Sequence, residues 1–429
     1  MARTIRRVAA RQVFDSRGRP TLEADVELDD GTLGRAIVPS GASTGQHEAH
    51  ELRDGDPAAY GGLGVLQAVT NVTSAIGPAI VGQDVADQRR LDAKLRALDG
   101  TPNLARLGAN AVLGVSLAAA RAAASAHGLP LYRWLAELAD VQRPLLPLPM
   151  INILSGGAHA RGGMDVQDFL AIPTGADSLD QALRMIQAIR SAAGRLLADE
   201  GRSTLLADEG GFSAGYATAE QALELMLRAI EAAGLRAGRE VAIGLDVAAT
   251  QLVQSDGTYL LRREGRQLAS AEMVARTVDW LRQYPIVSIE DPLGEDDWPA
   301  WRALTARVRG QGQVQLVGDD LFCTNPARIE RGIAERVANA VLIKLNQIGT
   351  LSQTLDALAL ARSAGYRAVV SARSGETEDP FIADLAVGTA CGQIKVGSLS
   401  SSERLAKYNQ LVRIQEELGA SAWSTPFGA

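Results

Sequence analysis

The sequence predicts an α/β protein in which a barrel of alternating strands and helices follows an N-terminal α+β region. The main observation is a series of four short apolar runs, each of which ends in a charged residue. The runs end at Asp246, Glu290, Asp319 and Lys344, in steps of 44, 29 and 25 residues. Each step is long enough for one strand and one helix. Parallel strands buried on both faces read as apolar runs, and their C-terminal ends meet at one mouth of a barrel.

The region before these runs shows two other periodicities. Apolar and polar residues alternate over residues 3–14 and 21–38, which predicts an antiparallel meander. Helical periodicity dominates residues 60–140. Within it, the small apolar stretch 108–121 predicts a tightly packed internal helix rather than a membrane segment. The N-terminal region is therefore expected to be a sheet covered by helices.

A proline-rich stretch over residues 144–149 marks the boundary between the two parts. We expect an N-terminal α+β domain over residues 1–140, acting as a cap and lid, and a barrel domain over residues 141–429. The barrel pattern includes further stretches: strands over 150–154, 166–172, 368–371 and 393–395, a helix over about 178–199, and an apolar run at 205–207 that leads into Asp208 and Glu209.

The loop over residues 39–45 consists of small residues and lies between the meander and the helices. Glycine and small hydroxyl residues permit large backbone changes and close approach to a ligand, as in a mobile active-site lid. An ordinary connector has the same composition. The residues alone leave both interpretations open.

Composition limits the classes of function. The chain has 429 residues, of which 46% are hydrophobic and 22% charged, so it can bury a large core. The net charge of −7 argues against a nucleic-acid partner. The two cysteines, Cys323 and Cys391, have no CxxC partners, which favours a reducing compartment without structural zinc. We find no signal peptide and no uninterrupted apolar span, and therefore expect a cytoplasmic protein without a membrane partner.

The charged strand ends predict a metal site. Asp246, Glu290 and Asp319 would supply oxygen ligands only, which suit Mg²⁺ better than Zn²⁺. Magnesium completes its shell with waters and substrate oxygens, so we expect an anionic substrate. The alternative is that these acids are helix N-caps or ion-pair partners. The second acids of their pairs, Asp291 and Asp320, suit a capping role.

Two lysines follow the same strand-end pattern in a chain that otherwise prefers arginine. Only four lysines occur, and Lys344 and Lys395 both end apolar runs. Lysine, unlike arginine, can lose its proton in a protein. Neighbouring cations would lower the pKa of Lys344 and make it a general base, whereas the alternative is a counter-ion to the carboxylates.

Three further residues have a weaker signal. Arg373 and Ser374 precede a glycine after a predicted strand, a combination that suits a phosphate group. His159 follows a Gly-Gly-Ala stretch after another strand. On its own it is as consistent with a structural role as with a catalytic one.

Taken together, these stretches resemble the enolase (phosphopyruvate hydratase) family over essentially the whole chain. The resemblance implies an enolase-type, TIM-like barrel of eight strands with one early strand antiparallel, a homodimer or higher homo-oligomer, and two Mg²⁺ per active site when substrate is bound. The motifs that carry it occupy residues 14–21, 39–45, 207–211, 244–249, 288–292, 317–321, 343–350, 373–379 and 402–409.

The resemblance also implies roles for individual residues. Lys344 resembles the base that takes the C2 proton of 2-phosphoglycerate, and Glu209 resembles the acid that helps the C3 hydroxyl leave as water. Lys395 would stabilise the ene-diolate. Removing a proton next to a carboxylate requires cations placed where negative charge grows. The remaining implied residues are the metal ligands Asp246, Glu290, Asp319 and Ser43, the loop residues Gly41 and Ala42, the phosphate ligands Arg373 and Ser374, and the pocket residues His159, Gln167 and Asp168.

The sequence departs from the usual enolase motifs around this core. Ala372 replaces a histidine, Asp168 replaces a glutamate, Ser155 replaces an asparagine and Ser401 replaces an arginine; the motif at residues 213–215 also differs. Two alternatives follow from these departures. One is a paralogue from specialised metabolism that forms a carboxyphosphonoenolpyruvate-type product, as in phosphinothricin-like biosynthesis. The other is a non-catalytic enolase-like binding protein, against which the retained metal ligands, lysines and Glu209 argue.

Overall fold

The computed structural model describes residues 3–42, 45–309, 314–419 and 422–427. The predicted Ser43 therefore lies outside the described residues. The N-terminal part is a three-stranded antiparallel sheet in the order β1, β2, β3, covered by helices, as the alternating pattern predicts. The strands are β1 (Ile5–Phe14), β2 (Pro20–Leu28) and β3 (Leu33–Ile37), and the helices are α1 (Leu66–Asn71), α2 (Gly77–Ile80), α3 (Gln88–Asp99), α4 (Ala109–Ala126) and α5 (Leu131–Leu138). A π-helical turn, Val72–Ile76, joins α1 to α2.

Helix α4 is the centre of this part. Among the described residues, one helix is long and apolar enough to cross a membrane, and it is α4, of which 89% is buried inside the protein. Its small side chains let the sheet approach closely. A Cβ built on Gly34 of β3 would lie 2.0 Å from the carbonyl oxygen of Ala118. The apolar composition of α4 therefore comes from close helix–sheet packing, as predicted.

The rest of the chain forms a closed eight-stranded barrel in the order β10-β11-β12-β13-β4-β5-β6-β9. Strand β5 runs antiparallel to both β4 and β6, and the other neighbouring pairs are parallel. Strands β7 and β8 form a separate hairpin. The strands are β4 (Leu148–Ser155), β5 (Asp168–Ile172), β6 (Ala242–Asp246), β7 (Tyr259–Leu261), β8 (Arg266–Leu268), β9 (Ile286–Glu290), β10 (Gln315–Gly318), β11 (Ala340–Ile343), β12 (Arg367–Ser371) and β13 (Gly392–Lys395).

Helices follow the strands and pack outside them. Apolar side chains from β4, β5, β10, β11 and β12 form a core cluster of their own, which fills the barrel interior. The helices are α6 (Leu179–Asp199), α7 (Ala219–Ala232), α8 (Ser270–Gln283), α9 (Trp298–Val308), α10 (Pro326–Glu335), α11 (Leu345–Ile348), α12 (Leu351–Ser363), α13 (Phe381–Gly388) and α14 (Ser402–Leu418).

The apolar run at residues 205–207 does not follow the strand pattern. Leu205 is 76% exposed, and Leu206 forms only an isolated bridge with Phe212. The segment is a tight turn in which the Ala207 amide donates to the Gly211 carbonyl at 2.8 Å. The turn carries Glu209 to the barrel mouth, so its position does not depend on a strand.

Candidate active site

The series of charged strand ends meets at one mouth of the barrel. Asp246 and Glu290 end β6 and β9, Lys395 ends β13, and Asp319 and Lys344 directly follow β10 and β11. Each of the five is less than a tenth exposed. Parallel strands of one barrel bring their C-terminal ends to the same rim, and this places three carboxylates and two amines together.

Lys395 lies between two of the carboxylates. Its Nζ donates to Asp246 Oδ2 at 2.7 Å and to Glu290 Oε2 at 2.8 Å. Burial alone would lower the pKa of Lys395, but Asp246 and Glu290 outweigh it and raise that pKa well above its ordinary value. Burial, reinforced by Asp246, raises the pKa of Glu290. The other oxygen of Glu290, Oε1, is buried and has no hydrogen-bond partner among the described residues.

Lys344 has a different neighbour. Its Nζ donates to Asp319 Oδ2, and the other oxygen of Asp319 accepts from Gln347 Nε2 at 2.8 Å. Burial lowers the pKa of Lys344, but Asp319 outweighs burial and the pKa is raised. The protein side chains alone therefore do not lower the pKa of Lys344 as expected from the sequence. Arg373 and Lys395 act in the lowering direction but are outweighed by Asp319.

A second cluster lies just after β4, at the start of β5 and in the turn that carries Glu209. His159 Nδ1 lies 3.0 Å from Asp168 Oδ2, and His159 Nε2 lies 3.5 Å from Glu209 Oε1. Burial lowers the pKa of His159, but Glu209 and Asp168 outweigh it and raise the pKa to about 9. Burial raises the pKa of Glu209, yet His159 and nearby cations leave that pKa lowered. These shifts favour a proton on the imidazole over one on Glu209, and burial raises the pKa of Asp168, the other carboxylate of the cluster.

Asp168 is held by two further residues. Its Oδ1 accepts from Asn152 Nδ2 at 2.6 Å and from Ser155 Oγ at 2.8 Å. All three side chains are fully buried. A serine at position 155 and an aspartate at position 168 are both departures from the usual motif, and here they contact each other. The two positions are therefore in direct contact in the folded protein.

Gln167 contacts the first of these clusters. Its Nε2 donates to Asp246 Oδ2 at 3.2 Å, and its Oε1 accepts from Gln251 Nε2 at 3.1 Å. Gln167 directly precedes β5, and the antiparallel direction of β5 brings its first residues to the mouth. This explains how a residue at the start of a strand joins residues at the ends of others.

Arg373 lies on the side of the mouth that faces the N-terminal part. Its Nη1 donates to Glu48 Oε2 and to Asn346 Oδ1, both at 2.9 Å. Burial lowers the pKa of Arg373, but Glu48 outweighs it and the pKa is raised. A Cβ on Gly41 would lie 1.9 Å from Arg373 Nη2, so only glycine fits against this guanidinium. The predicted phosphate ligand Ser374 is buried, whereas the predicted loop residue Ala42 is exposed.

The expected capping role of Asp291 and Asp320 is wrong. Asp291 accepts from the backbone N–H groups of Asp319 and Asp320 at 3.0 and 2.7 Å, so it joins the ends of β9 and β10. The helices that follow are capped by Asp297 and Asn325. The chain continues past each acid for several residues before the helix begins, which a sequence pattern of strand, acid and helix does not reveal.

Two departures at the mouth differ in their surroundings. Ala372 is 5% exposed and belongs to the hydrophobic core, so its methyl group replaces a polar side chain in a closed position. Ser401 is exposed and has a φ of 67°, and it directly precedes α14. Ala372 therefore changes the wall beside Arg373, whereas Ser401 lies at the surface.

Sequence reasoning missed several residues of the site. Asn152 was visible as one polar residue in an otherwise apolar strand. Arg404, which is fully buried, donates to the carbonyl oxygens of Arg373 and Ser374 at 2.6 Å each. Glu48 and Gln347 gave no signal of their own, because they follow a loop and a strand end in ordinary polar stretches.

Comparisons with known proteins identify the family. Residues 5–135 match the family described as enolase, N-terminal domain, and residues 143–425 match enolase, C-terminal TIM barrel domain. An enolase of Acidothermus cellulolyticus (strain ATCC 43068 / DSM 8971 / 11B) is 55% identical over 418 residues, which cover 97% of this chain and 95% of that protein.

The chain belongs to the enolase family. The predicted resemblance and the predicted fold class are thereby confirmed, and so is the prediction of an enzyme of the hydro-lyase class. Membership of this family also implies use of a divalent metal ion and of a small phosphorylated carboxylate as substrate.

Proposed function

We propose that this protein is a Mg²⁺-dependent lyase that removes the C2 proton of 2-phospho-D-glycerate and eliminates the C3 hydroxyl as water, giving phosphoenolpyruvate. The observation that supports it best is the pairing of two clusters in one buried mouth. One contains a candidate base among carboxylates, Lys344, and the other contains a candidate acid that holds a proton, the His159–Glu209 pair. Proton removal and hydroxyl loss need these two functions at neighbouring carbons.

The metal ligands that we propose are Asp246, Glu290 and Asp319. Their donor set is oxygen only, and Glu290 Oε1, which has no hydrogen-bond partner in the described part of the chain, fits a cation that would share this carboxylate. A bound Mg²⁺ would supply positive charge beside the developing ene-diolate and would offset the carboxylates that now keep Lys344 protonated. Ser43 stays a proposed ligand from the family motif.

The proposed proton transfers use this chain's own side chains. The C2–H bond breaks and its proton moves to Lys344 Nζ, while Lys395 is placed to stabilise the carboxylate that becomes an ene-diolate. The C3–O bond then breaks as the C2–C3 double bond forms, and the hydroxyl leaves as water with one added proton. That proton comes from the His159 imidazolium, whose pKa is raised to about 9, and passes through Glu209, whose own pKa is lowered and which lies 3.5 Å from His159 Nε2. Asp168 holds the His159 ring by its Nδ1.

Substrate binding completes the proposal. Arg373 and Ser374 would hold the phosphate, with Gly41, Ala42 and Gln167 around it.

We further propose a cytoplasmic homodimer or higher homo-oligomer, without a nucleic-acid or membrane partner. Its N-terminal domain would end at residue 140 and its barrel domain would begin at residue 141. The last helix before this point ends at Leu138 and the first barrel strand begins at Leu148.

The direct test follows enol phosphate formation by ultraviolet absorbance. Purified protein with 2-phosphoglycerate and Mg²⁺ is expected to turn over. Removing divalent cations with a chelator should reduce the rate to background, and added Mg²⁺ should restore it. Turnover that persists at full rate in the chelator would refute the metal assignment, and absence of turnover with Mg²⁺ would refute the substrate.

A second candidate function is a phosphonate-processing variant of the same reaction. The observation that favours it is Ala372, a buried methyl group directly beside the proposed phosphate ligand Arg373. A substrate panel that compares 2-phosphoglycerate with phosphonate analogues decides between the two. If 2-phosphoglycerate has the highest kcat/KM and Ala372→His leaves the ranking unchanged, this second function is wrong.

A further inference from the structure

One carboxylate from the N-terminal part reaches the barrel mouth and binds the proposed phosphate ligand. Glu48 Oε2 accepts from Arg373 Nη1 at 2.9 Å, and Glu48 Oε1 accepts from Arg373 Nη2 at 3.2 Å. The two side chains are only 9% and 2% exposed. Two parallel hydrogen bonds between a guanidinium and a carboxylate fix the plane of the guanidinium as well as its position.

The same carboxylate contacts the metal side of the mouth. Glu48 Oε1 also accepts from Gln347 Nε2 at 3.3 Å, and that nitrogen donates to Asp319 Oδ1 at 2.8 Å. The other end of the Gln347 amide accepts from Thr324 Oγ1 at 2.8 Å, which fixes the orientation of the amide. Glu48 therefore contacts the proposed phosphate ligand Arg373 directly and reaches the proposed metal ligand Asp319 through the amide of Gln347.

The position of Glu48 is itself fixed by backbone contacts. Its Oε1 accepts from the Gly45 amide at 3.1 Å, and the amide of the following residue, Ala49, donates to the Gln347 carbonyl at 2.8 Å. The Gln46 amide donates to Glu295 Oε2 at 3.1 Å. The segment that carries Glu48 is thus anchored to the barrel on both sides of the residue.

We propose that Glu48 is a positioning residue, which holds the Arg373 guanidinium in its binding orientation and, through Gln347, the Asp319 carboxylate. This inference rests on the proposed function. An arginine that is already oriented loses less side-chain entropy when the substrate phosphate binds. A buried guanidinium also needs a negative partner, which Glu48 supplies. The same contacts define the alternative that the test separates, in which Glu48 competes with the phosphate for the guanidinium.

Two substitutions separate these effects. Glu48→Gln keeps the length of the side chain and removes its charge, whereas Glu48→Asp keeps the charge and is one methylene too short to make both contacts. If Glu48 positions Arg373, both variants should raise KM for 2-phosphoglycerate by about 10-fold or more, with a much smaller change in kcat, since a charge-assisted pair is lost. A lower KM in Glu48→Gln would establish competition and overturn the proposal. Normal KM in Glu48→Asp would show that charge alone matters and would overturn it as well.

Glu27→Gln is the matched control. Glu27 lies on β2 of the same N-terminal part and pairs with an arginine, Arg6, at 2.6 Å in an exposed position. We expect its KM to stay within about twofold of the unmodified enzyme, as for surface substitutions away from a site. Thermal unfolding of all variants shows whether each is folded under the assay conditions.

Binding of inorganic phosphate, measured by calorimetry, tests the inference separately from catalysis. In the unmodified protein with Mg²⁺, phosphate should bind and Glu48→Gln should weaken it by about the factor found for KM. If 2-phosphoglycerate is not turned over but phosphate binding shows this loss, the proposed function fails and the role of Glu48 stands. Equal phosphate binding in the unmodified protein and Glu48→Gln overturns the role of Glu48.

Discussion

The two ends of the barrel mouth are built in different ways. At the metal end, Asp246, Glu290 and Lys395 are the last residues of their strands. At the acid end, Glu209 lies in a turn and His159 in a short helical turn after β4. Strand ends are fixed by the barrel ladder itself, whereas turn residues depend on specific side-chain contacts. Ser155 and Asp168, the two departures that adjoin these turn residues, are themselves the last residue of β4 and the first residue of β5.

The two ends also differ in which side chain has its pKa raised by neighbouring carboxylates. At the metal end, burial lowers the pKa of Lys344, but Asp319 outweighs burial and the pKa is raised. At the acid end, Glu209 and Asp168 raise the pKa of His159 and retain a proton that the reaction can use. The two ends therefore differ in the group that holds the proton, which is a lysine among carboxylates at the first end and an imidazole between two carboxylates at the second.

The largest expected effect is at the metal end. Lys344→Ala removes the proposed base and should lower kcat by about 10²–10⁴-fold, the usual contribution of a positioned acid or base. The measurement is the rate of enol phosphate formation in saturating Mg²⁺. Lys94→Ala is the matched control, because Lys94 is an exposed lysine on α3. Activity of Lys344→Ala equal to that of the control would mean that Lys344 is not the base.

A smaller effect concerns the proton at the acid end. The pKa of His159 is raised above its ordinary value, so its protonated form is fully present near neutral pH and is lost as pH rises through about 9. If this proton serves hydroxyl departure, kcat/KM should fall about tenfold per pH unit above that value. The stability that the imidazolium contributes should be lost over the same range, from about 6.5 upward.

His159→Gln gives the control for the pH profile. The variant should have lower activity throughout and should lack the alkaline fall near pH 9. If the variant keeps the same fall, another group titrates there. A fall in the unmodified enzyme centred near pH 6.5 would mean that Glu209 and Asp168 do not hold the proton as described.

The difference between the two ends also explains how much could be predicted from sequence. The strand series located Asp246, Glu290, Asp319 and Lys344, because an apolar run that ends in a charge is a local pattern and the barrel brings such ends together. The acid end had no comparable pattern: the run before Glu209 resembles a strand yet forms a turn. Glu48 contacts a residue 325 positions away along the chain. Such a contact depends on how the N-terminal part docks on the barrel, which no local periodicity contains.

The smallest expected effect tests how tightly the side chains of the acid end pack around Asp168. Asp168 is fully buried against Asn152 and Ser155, and a Cβ on Gly211 would lie 2.5 Å from Ser155 Oγ, so little space surrounds this group. Asp168→Glu adds one methylene and should lower the free energy of unfolding by about 1–3 kcal/mol through overpacking. Asp180→Glu, at an exposed position of α6, should change it by less than about 0.5 kcal/mol.

Chemical denaturation of the single and double variants then shows whether Ser155 causes the tight fit. Ser155→Ala removes the hydroxyl that contacts Asp168 and makes room for the longer side chain. The double variant Ser155→Ala/Asp168→Glu should therefore lose less stability than the two single losses added together, with a coupling of about 0.5–3 kcal/mol. Simple additivity would mean that the two departures are independent, and the acid end would then be no more closely adapted to its own residues than the metal end.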